Sequence, residues 1–463
     1  MKSETMNALA PYTPTPANPW DARKVGHLYR RAGFGATHAE LAAGVADGHE
    51  KTLDRVLSGR PESEDFTCTS EFMASEKSMP PGAPLPRLSA WWLDRMLKTA
   101  HPLREKLTLF WHNHFATSNV KVQNARHMLG QYRLMNKYAL GSFKSLLTEM
   151  GTDPAMMVWL DTIQSVKGKP NENYARELME LFSLGIGNYT EADIREAAKA
   201  FTGYEIAKDK GVLNRKQHDA GEKKVFGKTG AFTGEDITGL CLDKPACAVF
   251  IVTKLYRFLI SESDMPEKEI IDSLAKKYRE FDYDTGKLVS LMLRSNLFFS
   301  SAAYRTRIKS PVEFAVGIVR GLEGTAGPLP LAAAMENLGQ VLFAPPSVKG
   351  WDGGPTWLNA QTLLGRNNLA VSLTEGGAFT GKCDPAKLLA SHGVKKDDEI
   401  VDFLLGVFLQ GDVPGESRTR LLGYLKQAKG VKFPAYFTDD DKQNHRYRAV
   451  AHLVLTLPEF QLC

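Results

Sequence analysis

Apolar positions recur along most of this chain at steps of three and four residues, the period of an α-helix. Few segments alternate with the period of two that a strand requires. Helix boundaries are marked by short polar residues, proline and glycine. In GSFKSLLTEMGTDPAMMVWLD, Ser142 caps one helix, Gly151 stops it, and Asp153-Pro154 opens the next. NYTEADIREAAKAFTGY starts at Thr190 with acids in its first turn and stops at Gly203. CDPAKLLASHG repeats the device with Asp384-Pro385 and Gly393, and NHRYRAVAHLVLTL closes before Pro458. Two stretches break the pattern: Tyr204 to Gly239, and PPSVKGWDGGPTWLN from Pro345 to Asn359. Loops of the first length inside compact domains are commonly functional or disordered. The pattern predicts a mainly α protein with long irregular loops and at most a short β-hairpin. Residues 21–463 are expected to form one large helical domain, in one body or two lobes, with the long loop 204–239 between two helical halves. A flexible Pro-rich arm over 1–20 precedes it.

Composition changes this picture little. The chain has 463 residues, 43% hydrophobic and 24% charged, which suits an ordinary globular protein. A net charge of +5, evenly spread, gives no basic run for nucleic acid, so none is expected as a partner. The five cysteines form no C-x-x-C pair, which argues against a zinc ribbon or a disulfide framework. No apolar run is long enough for a membrane span, and the N-terminus lacks the apolar middle of a secretory signal. As the chain stands, a cytoplasmic protein is expected. It would be periplasmic or extracellular if an export segment had been removed.

Four segments carry candidate chemistry. In REKLTLFWHNHFATS, a helix would send His112 and His114 to opposite faces, because residues two apart differ by about 200°. His114 falls on the apolar face, as a hydrogen-bonded core histidine would. His112, beside Glu105, is the candidate metal ligand. In PNENYARELMELFSLGIGNYTE, Glu172, Arg176 and Glu180 form an i,i+4 ladder of the kind that supports exposed helices. Glu177 and Glu180, one turn apart, could instead work as an acid/base pair. In RKQHDAGEKKVFGKTG, His218 and Asp219 could orient an imidazole or bind metal, and Lys224 could hold an anion. A solvated basic loop is the plainer reading. The same stretch nearly matches a phosphate-binding loop. Five residues separate Gly221 from Gly227 where the motif has four, and neither a preceding strand nor a following helix is evident. In VKGWDGGPTWLNAQTLLGR, Trp351 and Trp357 flank Asp352, with Arg366 on a following helix. Such a set suits a sugar ring, although buried tryptophans at a glycine turn are as common.

In this order, VGHLYRRAGFGAT, PLREKLTLFWHNHFATS, DPAMMVWLD, NENYARELMELFSLGIGNYTEADIREAAKAFTGY, HDAGEKKVFG, KSPVEF and LGQVLFAPPSVKGWDGGPTWLNAQTLLGR resemble the bacterial DUF1800 family. The resemblance covers Val25 to Cys463. It implies a large, mainly helical bacterial protein of a family in which many members are exported. It also implies gene neighbours from a second family resembling sulfatases and phosphatases, a candidate partner. The resemblance further makes His218, Asp219, Lys223 or Lys224, and Gly227 one recurring unit.

The expected function is that of a hydrolase or lyase on an envelope or extracellular polymer such as a polysaccharide. Glu177, Glu180, His218 and Asp219 would be catalytic. Lys224, Trp351, Asp352, Trp357 and Arg366 would bind substrate. A divalent metal held by His112 and His218 would be the cofactor. The alternative is a non-enzymatic binding or assembly protein; a nucleotide-dependent enzyme comes third.

Overall fold

The capping residues act as their positions predict. In the computed structural model, the Ser142 side chain accepts from the Ser145 N–H at the start of Phe143–Met150. Asp153 accepts from the Met156 N–H at the start of Pro154–Trp159. Thr190 and Asp193 form a reciprocal capping box for Glu191–Ala200. Each cap satisfies backbone N–H groups that the first helical turn leaves without partners. The structure describes residues 7–463 except 76, 264–265, 376–382, 429–433 and 435. Over these it is mainly α, with two short two-stranded antiparallel sheets. No helix among the described residues is long and apolar enough to cross a membrane.

Both sheets lie in the segment expected to be a long loop, where at most one hairpin was foreseen. Tyr204–Ala207 pairs with Lys210–Leu213, and Lys223–Val225 with Lys228–Gly230. Each hairpin turns through two residues of positive φ, Lys208-Asp209 and Phe226-Gly227. That geometry matches the right-handed twist of the strands it joins. The glycine and lysine that resembled a phosphate loop thus belong to a hairpin turn and its exit strand. A helix does follow, Gly234–Asp243, started by a Thr233–Asp236 capping box rather than by any strong apolar period.

The first six residues of the expected N-terminal arm lie outside the described residues. From Asn7 onward the arm lies against the body: Tyr12 is buried and its N–H donates to the Arg294 carbonyl at 2.7 Å.

Two apolar clusters make the interior. One draws on residues from Val25 to Ala303, including Trp111 and Phe143. The other joins Trp91 and Trp92 to helices such as Pro311–Gly321 and Asp397–Leu409. The helix Pro102–His114 serves both, giving Leu107, Phe110 and Trp111 to the first cluster and Leu109 to the second. It is buried nearly all round, so its polar side chains also face protein. Glu105, for instance, accepts from Trp92 Nε1 and Tyr132 Oη.

Candidate functional site

Beside this shared helix lies a cavity of about 250 Å³ that opens to solvent. Four segments build it. Pro102–His114 contributes Asn113 and His114 from its last turn. Pro245–Leu259 contributes Lys254, Arg257 and Phe258, which its pitch sets on neighbouring faces, and Glu262 follows it. Arg307, Ser310 and Glu313 come from the capped start of Pro311–Gly321. The glycine-rich segment supplies Lys349, Trp351, Asp352 and Trp357.

That last segment is fixed by one side chain. Asn113 Oδ1 accepts from the Trp351 N–H at 2.7 Å, and its Nδ2 donates to the Trp351 carbonyl at 3.2 Å. The approach is so close that a Cβ on Gly350, whose φ is +83°, would lie 2.1 Å from Asn113 Oδ1. The glycine pattern noticed in the sequence therefore has a steric cause here.

A second fixture comes from Asn173–Glu177, which widens directly into a π-helix over Leu178–Ser183. The carbonyls near such a helix end lack intrahelical donors. His114 Nε2 stands 3.0 Å from the Phe182 carbonyl, so this nitrogen carries the proton. His114 Nδ1 then accepts from Lys254 Nζ at 3.1 Å, and Lys254 also donates to the Leu181 carbonyl at 3.3 Å. Burial pushes the Lys254 ammonium down to about 8. Burial, and then the Lys254 charge, hold His114 well below the usual imidazole range, so the ring is neutral.

Carboxylates oppose these cations. Burial would raise Glu313, but Arg307 at 3.0 Å and Lys106 hold it well below the usual carboxylate range. Glu262 lies 3.9 Å from Arg307 and is raised by burial. Glu177 is half-buried and raised by burial and by Glu180, with Lys349 and Arg176 acting against that shift. Glu180 accepts from Tyr189 Oη at 2.7 Å. Of the expected ladder, Glu172 and Arg176 pair at 3.2 Å; Arg176 takes Glu191 as its other partner.

The structure thus gathers Trp351, Asp352 and Trp357 in one cavity, with Glu177 within electrostatic reach of its Lys349. It does not bring the other expected residues there. His112 is fully buried on the opposite face from His114. Its Nε2 accepts from the Phe343 N–H at 3.1 Å, and its ring packs 5.7 Å from that of Trp351. Burial pushes it down to about 3. His218 Nδ1 donates to the Thr202 carbonyl at 3.0 Å, and the Asp219 N–H donates to Thr202 Oγ1 at 2.8 Å. Lys223, rather than Lys224, turns inward and donates to the carbonyls of Asp219 and Gly221. Lys224 is exposed. Arg366 is wholly buried and donates to the Lys309 carbonyl and Gln461 Oε1. His112 and His218 share no partner. Among the described residues no group of three or more His, Cys, Asp or Glu is placed to hold a metal ion.

Sequence reasoning missed Lys254, Arg257, Glu262, Arg307 and Lys349. A signal existed for the first two: they interrupt the otherwise apolar AVFIVTKLYRFLI at a three-residue step.

Fold and site together define a mainly helical protein with a cavity walled by four cations, three carboxylates and two tryptophans. Over residues 27–462 the chain matches the family described as "Protein of unknown function (DUF1800)", and it belongs to that family. No curated protein and no solved structure matches it.

Proposed function

We propose that this cavity binds an anionic polysaccharide segment and cleaves it, as a hydrolase or a lyase. The observation that carries the reading is the meeting of Trp351 and Trp357 with Lys254, Arg257, Arg307 and Lys349 in one solvent-reaching cavity. Aromatic faces suit the apolar face of a sugar ring, and the cations suit its carboxylate or sulfate groups. Lys254 has the chemistry of a general acid: an ammonium destabilised by burial, close enough to neutrality to give up a proton. Glu262 and Glu177, both raised by burial, are the carboxylates suited to receive one.

The test is a panel of uronate-containing, sulfated and neutral oligosaccharides. Calorimetry would measure binding, and assays for new reducing ends and for unsaturated products would separate hydrolysis from elimination. Binding of acidic but not neutral members, with turnover that Lys254→Met abolishes, is the expected result. Indifference to every acidic member would end the proposal. A second reading, binding without turnover, is favoured by His114, whose two ring nitrogens are both engaged in holding helices together. Tight binding with no product from any acidic ligand would select it.

A further inference from the structure

Glu313 lines not only the cavity but also a small chamber of about 20 Å³, partly open to solvent, together with Arg30, Lys309, Gln410, Phe460 and Cys463. Arg30 and Lys309 are only 7% and 4% exposed. Arg30 uses Nη1 on Gln410 Oε1 and lies beside the Tyr304 ring, whose hydroxyl also acts on it; its Nε and Nη2 have no other hydrogen-bond partner. Lys309 Nζ stands 3.5 Å from the centre of the Phe460 ring. Four further buried cations, Arg31, Lys106, Arg307 and Arg366, surround the same region. Glu313 pairs directly with Lys106 and Arg307. Burial lowers Arg30 from its usual value and Lys309 well below the usual lysine range, so both charges are held there at a cost.

A buried cation without a counter-charge is costly, and so are guanidinium N–H groups without acceptors. One ligand answers both needs. A space of about 10–15 Å³ is enough for one water-sized sphere, so the chamber admits a monoatomic anion but not a tetrahedral phosphate or sulfate. We propose that it binds a single halide ion, chloride under ordinary conditions, between Arg30 and Lys309. This site is separate from the polysaccharide reading and stands or falls without it.

Crystals of the full chain grown in sodium bromide decide the matter by anomalous diffraction. A bromide peak within contact distance of Arg30 and Lys309 is expected. A chamber that is empty, or that holds only a water with no anomalous signal, overturns the proposal. Thermal unfolding in sodium chloride against sodium gluconate at equal ionic strength provides the solution counterpart, because gluconate is too large for the chamber. The Tm should rise by about 2 °C or more and level off as chloride replaces gluconate. Lys309→Met should remove that dependence. An equal rise in the wild type and the variant would mean that chloride acts elsewhere on the protein and would count against the site.

Discussion

Glu313 is the residue on which the most buried charge depends. It faces Lys106 and Arg307 and accepts from the Ser310 N–H at 2.7 Å. Glu313→Gln would leave Lys106 buried without its countercharge and Arg307 with Glu262 alone, and an expected loss of about 3–5 kcal/mol would appear in urea unfolding. Lys254 gives a pH signature instead. Burial lowers it from 10.5 to about 8, so within that window the unfolded chain holds a proton that the folded chain has released. Stability from this site therefore rises as pH climbs through the window, and at neutral pH the burial cost is present in full. Lys254→Met carries no such cost. Its stability relative to wild type should be highest at neutral pH and should decline above about pH 8; a gap that stays constant in denaturant titrations would contradict this. In the sequence, Trp351, Trp357 and Asp352 drew notice because glycines surround them. Lys254 did not, because a lysine and an arginine one turn apart in an apolar helix read as surface residues whose stems lie along apolar neighbours.

Among the elements, the segment carrying Trp351 and Trp357 depends on Asn113. Asn113→Ala removes both hydrogen bonds that hold it to the Pro102–His114 helix. About 1–2 kcal/mol of stability should be lost. Acidic-ligand affinity should fall about tenfold, as calorimetry would show, if the tryptophans need that anchor. Helix starts were legible because Ser142, Asp153 and Thr190 act within a few residues of themselves. The two hairpins were less so. Lys208-Asp209 adopts a positive-φ turn without glycine, and in Lys223–Val225 burial alternates while one of the two buried residues is a lysine, so the sequence shows no apolar alternation. The π-helix left no sequence mark. The groups that donate to its last carbonyls, His114 and Lys254, come from distant segments.

For the whole molecule, the mainly α class followed from periodicity, but the pairing of segments did not. The cavity lies at the irregular segment Pro345 to Asn359, where distant parts of the chain meet. Because Pro102–His114 belongs to both apolar clusters, neither should melt alone. Fluorescence of Trp111 in one cluster and of Trp91 and Trp92 in the other, read in single-tryptophan variants, should give coincident denaturant midpoints. Separate midpoints would show that the shared helix does not couple them. The same weave bears on synthesis at the ribosome. Trp91 and Trp92 are made early and meet Glu105, His112 and Tyr132 soon after, yet the rest of their cover, Phe343 and the helix Pro311–Gly321 included, comes only later. At about 5–20 residues per second that interval lasts on the order of ten seconds. A nascent chain halted before Pro311 should be cut by protease near Trp91 and Trp92, where the finished protein resists. Until the last third of the chain emerges, the second cluster has to be sheltered rather than packed.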